Sequence, residues 1–303
     1  MLKYLVILLD DTSVSFCHYR NDKEVRRLIP YDDLKSAIIW AMKENLMVQF
    51  VYPNYTLPIE YVELIDTIDH VDIAENDFDA DVLIVNGFDS ISTSGISPDL
   101  PFVLRITAKE FFDNVDRLSE FSALTIVFTD MEDWGDDTLD KYKTALGKLS
   151  RNVSLRISSG ESSRVNLVMD RMQLSSMNNC GAGDESITFA PDGQFYICPA
   201  FYLNGEPPVG TLEKGVDIPN AQLYKRSYAP ICRNCDAYNC KRCIWLNKLK
   251  THEVNTPGRE QCVMAHLERN ESRRLLESLK SDGIYKTIAS IPEIDYLDPF
   301  EKL

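Results

Sequence analysis

The feature that most constrains this chain is a run of four cysteines spaced C-x2-C-x4-C-x2-C. Thiolates this close together bind a soft metal or an iron–sulfur cluster more readily than they pair as disulfides. Three further cysteines flank the run, so that seven of the eight in the chain lie after residue 179. The candidate metal ligands are Cys180, Cys198, Cys232, Cys235, Cys240, Cys243 and Cys262.

Composition indicates a globular chain in a reducing compartment. Its 303 residues are 44% hydrophobic, enough for one large core or for one medium and one small core. The first apolar run ends at Asp10, and no segment approaches the ~18 apolar residues of a membrane span. We therefore expect a cytoplasmic location, where clustered cysteines more often bind metal than form cross-links.

Charge is distributed unevenly. The net charge of −15 argues against nucleic acid as the main partner. Residues 221–280, however, contain 12 Lys or Arg against 6 Asp or Glu. Cations near thiolates favour the deprotonated ligand form and offset the charge of a thiolate-ligated cluster. The alternative is that these residues simply form a solvated helix face.

Residues 1–175 alternate strand-like and helix-like segments, which predicts an α/β fold with a parallel sheet. The pattern leaves open whether the sheet is open or a partial barrel. The predicted strands are Lys3–Leu9, Met47–Tyr52, Asp81–Asn86, Phe102–Ile106, Leu124–Thr129 and Asn166–Met169. The predicted helices are Asp32–Asn45, Ile59–Ile68, Ala108–Phe121 and Thr138–Leu149.

The pattern changes after Met172. Two short apolar runs flank Pro191-Asp192-Gly193 and predict a β-hairpin. Pro257-Gly258 opens a predicted helix that runs to about Lys280 and carries Cys262 in its first turn. We predict an α/β domain over 1–175, a small cysteine-rich domain over 176–282 and a peripheral tail over 283–303.

The cysteine pattern resembles the SPASM domain, which ends many radical S-adenosylmethionine enzymes that modify peptides. Twelve residues separate Cys180 from Gly193 and four separate Gly193 from Cys198, as in that family. The central run is one residue short in each of two spacers. The matching segments are Cys180-Gly-Ala-Gly183, Ile187-Thr-Phe-Ala-Pro-Asp-Gly193, Cys198, Val209-Gly-Thr-Leu212, the four-cysteine run and Cys262.

The resemblance implies two [4Fe–4S] clusters. Cys180, Cys198 and Cys243 would hold one cluster, and the second would be held by Cys232, Cys235, Cys240 and Cys262. The short spacers leave open which cluster Cys240 and Cys243 serve. A single cluster, or one zinc ion on four of the thiolates, remains an alternative.

A motif required for radical chemistry is absent. Radical S-adenosylmethionine enzymes carry C-x3-C-x2-C after the first strand, whereas Cys17 stands alone in the first half of this chain. With Cys17 as the first member, Asn21 and Glu24 stand where the other cysteines belong, and the other two placements fail in the same way. We therefore expect a degenerate radical-enzyme scaffold that does not cleave S-adenosylmethionine.

That combination is similar to the CXXX repeat peptide maturases, and the opening segment Met1–Tyr19 also resembles theirs. The resemblance implies maturation of a ribosomally made, cysteine-rich precursor peptide, together with a separate modifying enzyme as a further partner. It does not say whether this chain is itself an enzyme, and no catalytic residue is assigned. The alternatives are an iron–sulfur electron-transfer partner of another enzyme and a zinc-stapled peptide-binding protein.

Two residues outside the pattern are weaker candidates. Cys17, next to His18 and close to Asp10, lies where sheet-based active sites form and could be a nucleophile, although a structural role is more common for a lone cysteine. His266 follows Cys262 by four residues on the same predicted helix face, and it either reaches a cluster or packs in the core.

Overall fold

The computed structural model describes residues 2–292, which form an α/β fold rich in parallel strands. The strands are β1 (Tyr4–Leu8), β2 (Met47–Val51), β3 (His70–Glu75), β4 (Val82–Asn86), β5 (Phe102–Ile106), β6 (Ala123–Phe128), β7 (Arg164–Val165), β8 (Ser186–Phe189), β9 (Gln194–Tyr196), β10 (Gly210–Thr211) and β11 (Gly215–Val216). The α-helices are α1 (Tyr31–Lys43), α2 (Ile59–Ile65), α3 (Asp89–Ser94), α4 (Ala108–Asn114), α5 (Asp136–Ser158), α6 (Asn166–Gln173), α7 (Pro199–Leu203), α8 (Ile244–Thr251) and α9 (Arg259–Ser281). The predicted α/β class with a parallel sheet is confirmed.

The chain divides into two compact units. The first contains Met1–Ile84 and Cys180–Ala229, and the second contains Val85–Asn179 and Pro230–Leu303. These units group the chain by contact rather than by continuous sequence, so the domain boundaries predicted above stay a prediction. Residues 293–303 of the predicted tail lie outside the described residues.

The first unit is built on a sheet whose central strands run parallel. Leu5 in β1 is level with Val48 in β2 on one side and with Ile187 in β8 on the other. From β1 to β4 each strand lies beside its successor without the reversal of a doubly wound sheet. For this unit, the strand order therefore favours the barrel-like winding over the doubly wound alternative.

The predicted hairpin is confirmed and belongs to the first unit. Strands β8 and β9 pair antiparallel, with Phe189 opposite Phe195. Gly193 has φ 78°, the left-handed conformation that this turn needs and that glycine adopts without a Cβ penalty.

The second unit contains the parallel strands β5, β6 and β7 and the two long helices α5 and α9. Helix α9 confirms the helix predicted from Pro257-Gly258 to about Lys280, and it buries Leu275, Leu276 and Leu279. Helix α5 extends nine residues beyond its predicted end at Leu149, with Val153 fully buried. The predicted helix Ala108–Phe121 is shorter, because α4 ends at Asn114 and a 3-10 turn follows.

The strand predicted at Asn166–Met169 is wrong, because this segment is the first half of α6. Leu167, Val168 and Met169 form a short, buried apolar run, and a run of this length does not distinguish a strand from a buried helical segment. The Asn166 side chain instead makes to β6 a pair of hydrogen bonds like those of a neighbouring strand. Its Oδ1 accepts from Ile126 N at 2.9 Å and its Nδ2 donates to Ile126 O at 3.0 Å.

No helix among residues 2–292 combines the length and the apolar character needed to cross a membrane.

Candidate metal centre

A cavity of about 260 Å³ in the second unit is lined by four of the seven candidate ligands. These are Cys232, Cys235, Cys240 and Cys262, the set that the SPASM resemblance assigns to one cluster. The sequence placed three of them in one loop and the fourth about twenty residues later. The fold brings all four to the same void.

The loop of residues 230–243 forms two tight turns that bring its cysteines back toward each other. Cys235 N donates to Cys232 O at 3.3 Å, and Cys240 N donates to Ala237 O at 2.9 Å. Cys262 comes from the first turn of α9. A short C-x2-C turn is the usual way in which a chain presents two thiolates to one metal site.

Buried polar contacts hold this loop on α6 and α9. Arg171 Nε donates to Asp236 O at 2.7 Å, and Arg269 Nη1 donates to Asp236 Oδ1 at 2.6 Å. Asn239 Nδ2 donates to Ala265 O at 3.1 Å. Because side chains on two helices fix the loop from outside, the cysteines are placed by the protein fold as well as by any bound group.

Two of the cysteine sulfurs accept hydrogen bonds from the loop backbone. Ala237 N donates to Cys235 Sγ and Arg242 N donates to Cys240 Sγ, each at 3.4 Å. Arg242 also lines the cavity and is 4% exposed. Backbone donors and a buried cation both stabilise negative charge on sulfur, which is the form that ligates metal.

Burial raises the pKa of the Cys240 thiol to about 12. The negative charges of Cys232 and Cys235 raise this pKa further, while the bond from Arg242 N lowers it. A bound metal ion would offset the cost of charging the Cys240 thiol, because a metal ion deprotonates a coordinating thiol outright. The four thiols are therefore chemically suited to ligate metal ions.

A buried carboxyl group lies behind the cysteine loop. Glu268 is 4% exposed, and its two oxygens accept from the Tyr142 hydroxyl and from Asn239 Nδ2, each at 2.7 Å. Burial raises the pKa of Glu268 to about 7, although both of these hydrogen bonds favour the charged form. Asn239, the residue next to Cys240, thus connects this ionisable group to the cysteine loop.

The other three candidate ligands are divided between the units. Cys180 and Cys198 belong to the first unit, and Cys243 belongs to the second, where it caps α8. Cys180 is exposed, whereas Cys198 and Cys243 are half-buried.

Within residues 2–292, no three His, Cys, Asp or Glu side chains are grouped so that they could hold one metal ion. Tetrahedral zinc with Zn–S bonds of about 2.3 Å sets its four sulfurs about 3.8 Å apart. The four cysteines lie among the residues that line the cavity of about 260 Å³.

The loop after β1 is organised by polar side chains. Asn21 Nδ2 donates to Asp11 O and to Ser13 O, each at 2.8 Å, and Asp10 Oδ1 accepts from Thr12 N at 2.8 Å. Cys17 is half-buried in this loop. The Asn21 carboxamide therefore closes this loop by hydrogen bonding.

Comparisons with known proteins identify the fold. No family model matches the chain, and no curated protein matches it in sequence. Among solved structures, anSMEcpe with bound AdoMet matches with a TM-score of 0.63 and 12% identity, over 92% of this chain and 96% of that chain. The structure of anSMEcpe with AdoMet and the Cp18Cys peptide gives the same TM-score, over 93% and 100% of the two chains. Streptococcus suis SuiB bound to precursor peptide SuiA matches with a TM-score of 0.48 and 10% identity, over 84% and 74%.

The match to anSMEcpe, with a TM-score of 0.63, establishes that the chain has the fold of that protein. The match agrees with the α/β fold and parallel sheet that the sequence predicts. The identity of 12% is too low to transfer a ligand or a reaction by itself.

Proposed function

We propose that this chain is a cytoplasmic maturation factor that binds a ribosomally made, cysteine-rich precursor peptide and carries iron–sulfur clusters. The observation that carries the proposal is the convergence of Cys232, Cys235, Cys240 and Cys262 on one cavity. The convergent set is the one that the SPASM resemblance assigns to a single four-iron cluster.

The cavity supports a cluster more strongly than a single zinc ion. Four thiolates on one zinc ion would close around it at about 3.8 Å spacing and leave no void between them. A four-iron cluster places iron and sulfide between the thiolates, and a cavity of about 260 Å³ supplies that room. Hydrogen bonds to Cys235 and Cys240 and the cationic Arg242 suit the negative charge of such a group.

A second cluster on Cys180, Cys198 and Cys243 rests on the resemblance alone. Three thiolates leave one iron without a cysteine ligand. When bound, such a cluster supplies an iron atom that can take up a substrate thiolate, which suits a peptide with a cysteine at every fourth position. The protein's part is to hold the three ligands and to admit the peptide.

The loop after β1 supports the proposal that S-adenosylmethionine is not cleaved here. The carboxamide of Asn21 closes the loop onto Asp11 and Ser13, and Cys17 supplies one thiol where three are needed. Under reducing conditions with S-adenosylmethionine and dithionite, we expect no 5′-deoxyadenosine above a protein-free control. Stoichiometric 5′-deoxyadenosine from purified protein would refute this part of the proposal.

The peptide partner is supported by the fold and by charge. A protein of the same fold, anSMEcpe, has been solved with the Cp18Cys peptide. Residues 221–280 carry a local positive excess, which would attract an acidic leader segment. A separate enzyme that modifies the bound peptide completes the proposal.

The first experiment measures iron, zinc and acid-labile sulfide per chain after anaerobic purification. About eight iron and eight sulfide, the content of two [4Fe–4S] clusters, would support the full ligand set, and about four of each would support the cavity cluster alone. One zinc without sulfide would contradict the cluster and favour the zinc-stapled alternative.

A second experiment separates peptide binding from electron transfer. Fluorescence anisotropy with a labelled C-x3 repeat peptide bearing an acidic leader would detect binding directly. We expect affinity to fall with added salt and in a Lys241→Glu, Lys248→Glu double variant. Absence of binding at low salt, together with two intact clusters, would favour the electron-transfer alternative.

A further inference from the structure

His266 lies against one of the cavity sulfurs. Its Nε2 is 3.5 Å from Cys235 Sγ, and the imidazole is 5% exposed. It lines the cavity one helical turn after Cys262, on the same face of α9. The imidazole is therefore placed by the helix that also supplies a ligand.

The chemistry of a ligating thiolate determines which atom of this contact is the hydrogen-bond donor. A metal-bound sulfur carries no proton, so it can only accept a hydrogen bond. The contact is then a hydrogen bond only when Nε2 of His266 carries the proton and donates it. Ala237 N donates to the same sulfur at 3.4 Å, so that Cys235 receives both a backbone and a side-chain donor.

The four cavity thiolates already provide one protein ligand for each iron of a four-iron cluster. His266 is a fifth side chain at the same cavity, and it contacts the sulfur of Cys235. We propose that His266 is a positioning residue whose Nε2–H donates to Cys235 Sγ and raises the reduction potential of the cluster bound there. This inference rests on the proposed cavity cluster.

The direction of the expected shift in reduction potential follows from electrostatics. A donor to a cluster thiolate withdraws electron density from the sulfur and stabilises the reduced, more negative state. The effect is stronger in a site of low dielectric constant, and both His266 and Cys235 are buried. Removing the donor is therefore expected to shift the potential downward.

The test compares His266→Leu and His266→Gln with the wild-type protein, each purified anaerobically and assayed for iron and sulfide. Leu removes the donor and Gln keeps a side-chain N–H. Met177→Leu serves as a packing control, because Met177 lines the same cavity without an N–H group. Reduction potentials come from redox titration followed by electron paramagnetic resonance.

We expect a lower potential in His266→Leu at unchanged iron content, recovery toward wild type in His266→Gln, and no change in Met177→Leu. Equal potentials in all four proteins would overturn the role of His266 while leaving the cluster proposal intact. Loss of iron from both His266 variants, with iron retained in Met177→Leu, would also overturn it, because His266 would then be needed to hold the group. Wild-type protein without iron and sulfide would overturn the inference and the cluster proposal together.

Discussion

Arg269 Nη1 lies 2.6 Å from Asp236 Oδ1, and the two side chains are 6% and 0% exposed. This ion pair joins the loop that carries Cys232, Cys235 and Cys240 to the helix that carries Cys262. The ion pair therefore helps to keep the four thiols at one cavity.

Replacing Arg269 with Leu is expected to lower the free energy of unfolding by about 3–5 kcal/mol, because the buried Asp236 would lose its ion-pair partner. The measurement is urea denaturation of protein samples with matched iron content. Arg274→Ala provides the matched control. Arg274 pairs with Glu271 at 3.2 Å but is 66% exposed, so its loss should cost less than about 1 kcal/mol. An equal loss of unfolding free energy in the two variants would show that burial does not determine how much the Arg269–Asp236 ion pair stabilises the protein.

If both proposed clusters are present, replacing Cys262 with Ser is expected to remove the cavity cluster and to leave the cluster on Cys180, Cys198 and Cys243. Iron and sulfide should fall from about eight to about four per chain, because one of the four ligands of a [4Fe–4S] cluster is lost. Cys17→Ser is the matched control, since Cys17 lies in the loop after β1 and outside the proposed ligand set. Unchanged iron in Cys262→Ser, or a loss in Cys17→Ser, would contradict the assignment.

The raised pKa of Glu268, about 7 against a usual value of 4.5, predicts that stability depends on pH. Between these two values the folded protein holds a proton that the unfolded chain has released. The free energy of unfolding therefore falls as pH rises through this window, by up to about 3 kcal/mol. Glu268→Gln should flatten this slope and be more stable than wild type at pH 8, as followed by urea denaturation from pH 5 to 8. An identical slope in both proteins would contradict burial of an ionisable Glu268.

Replacing Asn21 with Ala is expected to open the loop after β1. The variant loses three hydrogen bonds, those of 2.8 Å from Asn21 Nδ2 to Asp11 O and Ser13 O and that of 3.1 Å from Lys23 N to Asn21 Oδ1, at a cost of about 1–3 kcal/mol to the local structure. Hydrogen exchange of residues 11–28 should accelerate, whereas exchange in the second unit should stay as in wild type. The exposed neighbour Asp22 provides the control through Asp22→Ala, which should leave exchange unchanged. Equal protection in the two variants would show that the carboxamide does not hold this loop.

The strands that the sequence predicted best are those with continuous apolar runs. Strands β1, β2 and β5 match their predictions within two residues, because Val, Ile, Leu and Phe mark strands that are buried on both faces. Strand β3 escaped prediction. Its sequence HVDIAE buries only Ile73 and Ala74, and the acidic Asp72 and Glu75 interrupt the apolar run that would predict a strand.

The cysteines of the site were visible in the sequence, and the residues that hold them were not. Arg171 and Asp236 are 65 residues apart, so only the fold can pair them. Charged residues are usually exposed, and nothing in the local sequence indicates that Arg171, Asp236 and Glu268 are 3%, 0% and 4% exposed. Arg171 lies between Asp170 and Met172 in α6, just after the segment Asn166–Met169 that the sequence predicts as a strand.

Helix α9 places Cys262, His266 and Arg269 at intervals of four and three residues, which is one face of an α-helix. Inserting or deleting one residue between Cys262 and Arg269 would rotate one part of this face by about 100° relative to the other. Cys262 and Arg269 could then not serve the cavity and Asp236 at the same time. Over these eight positions, evolution can exchange side chains but cannot change the length of the chain.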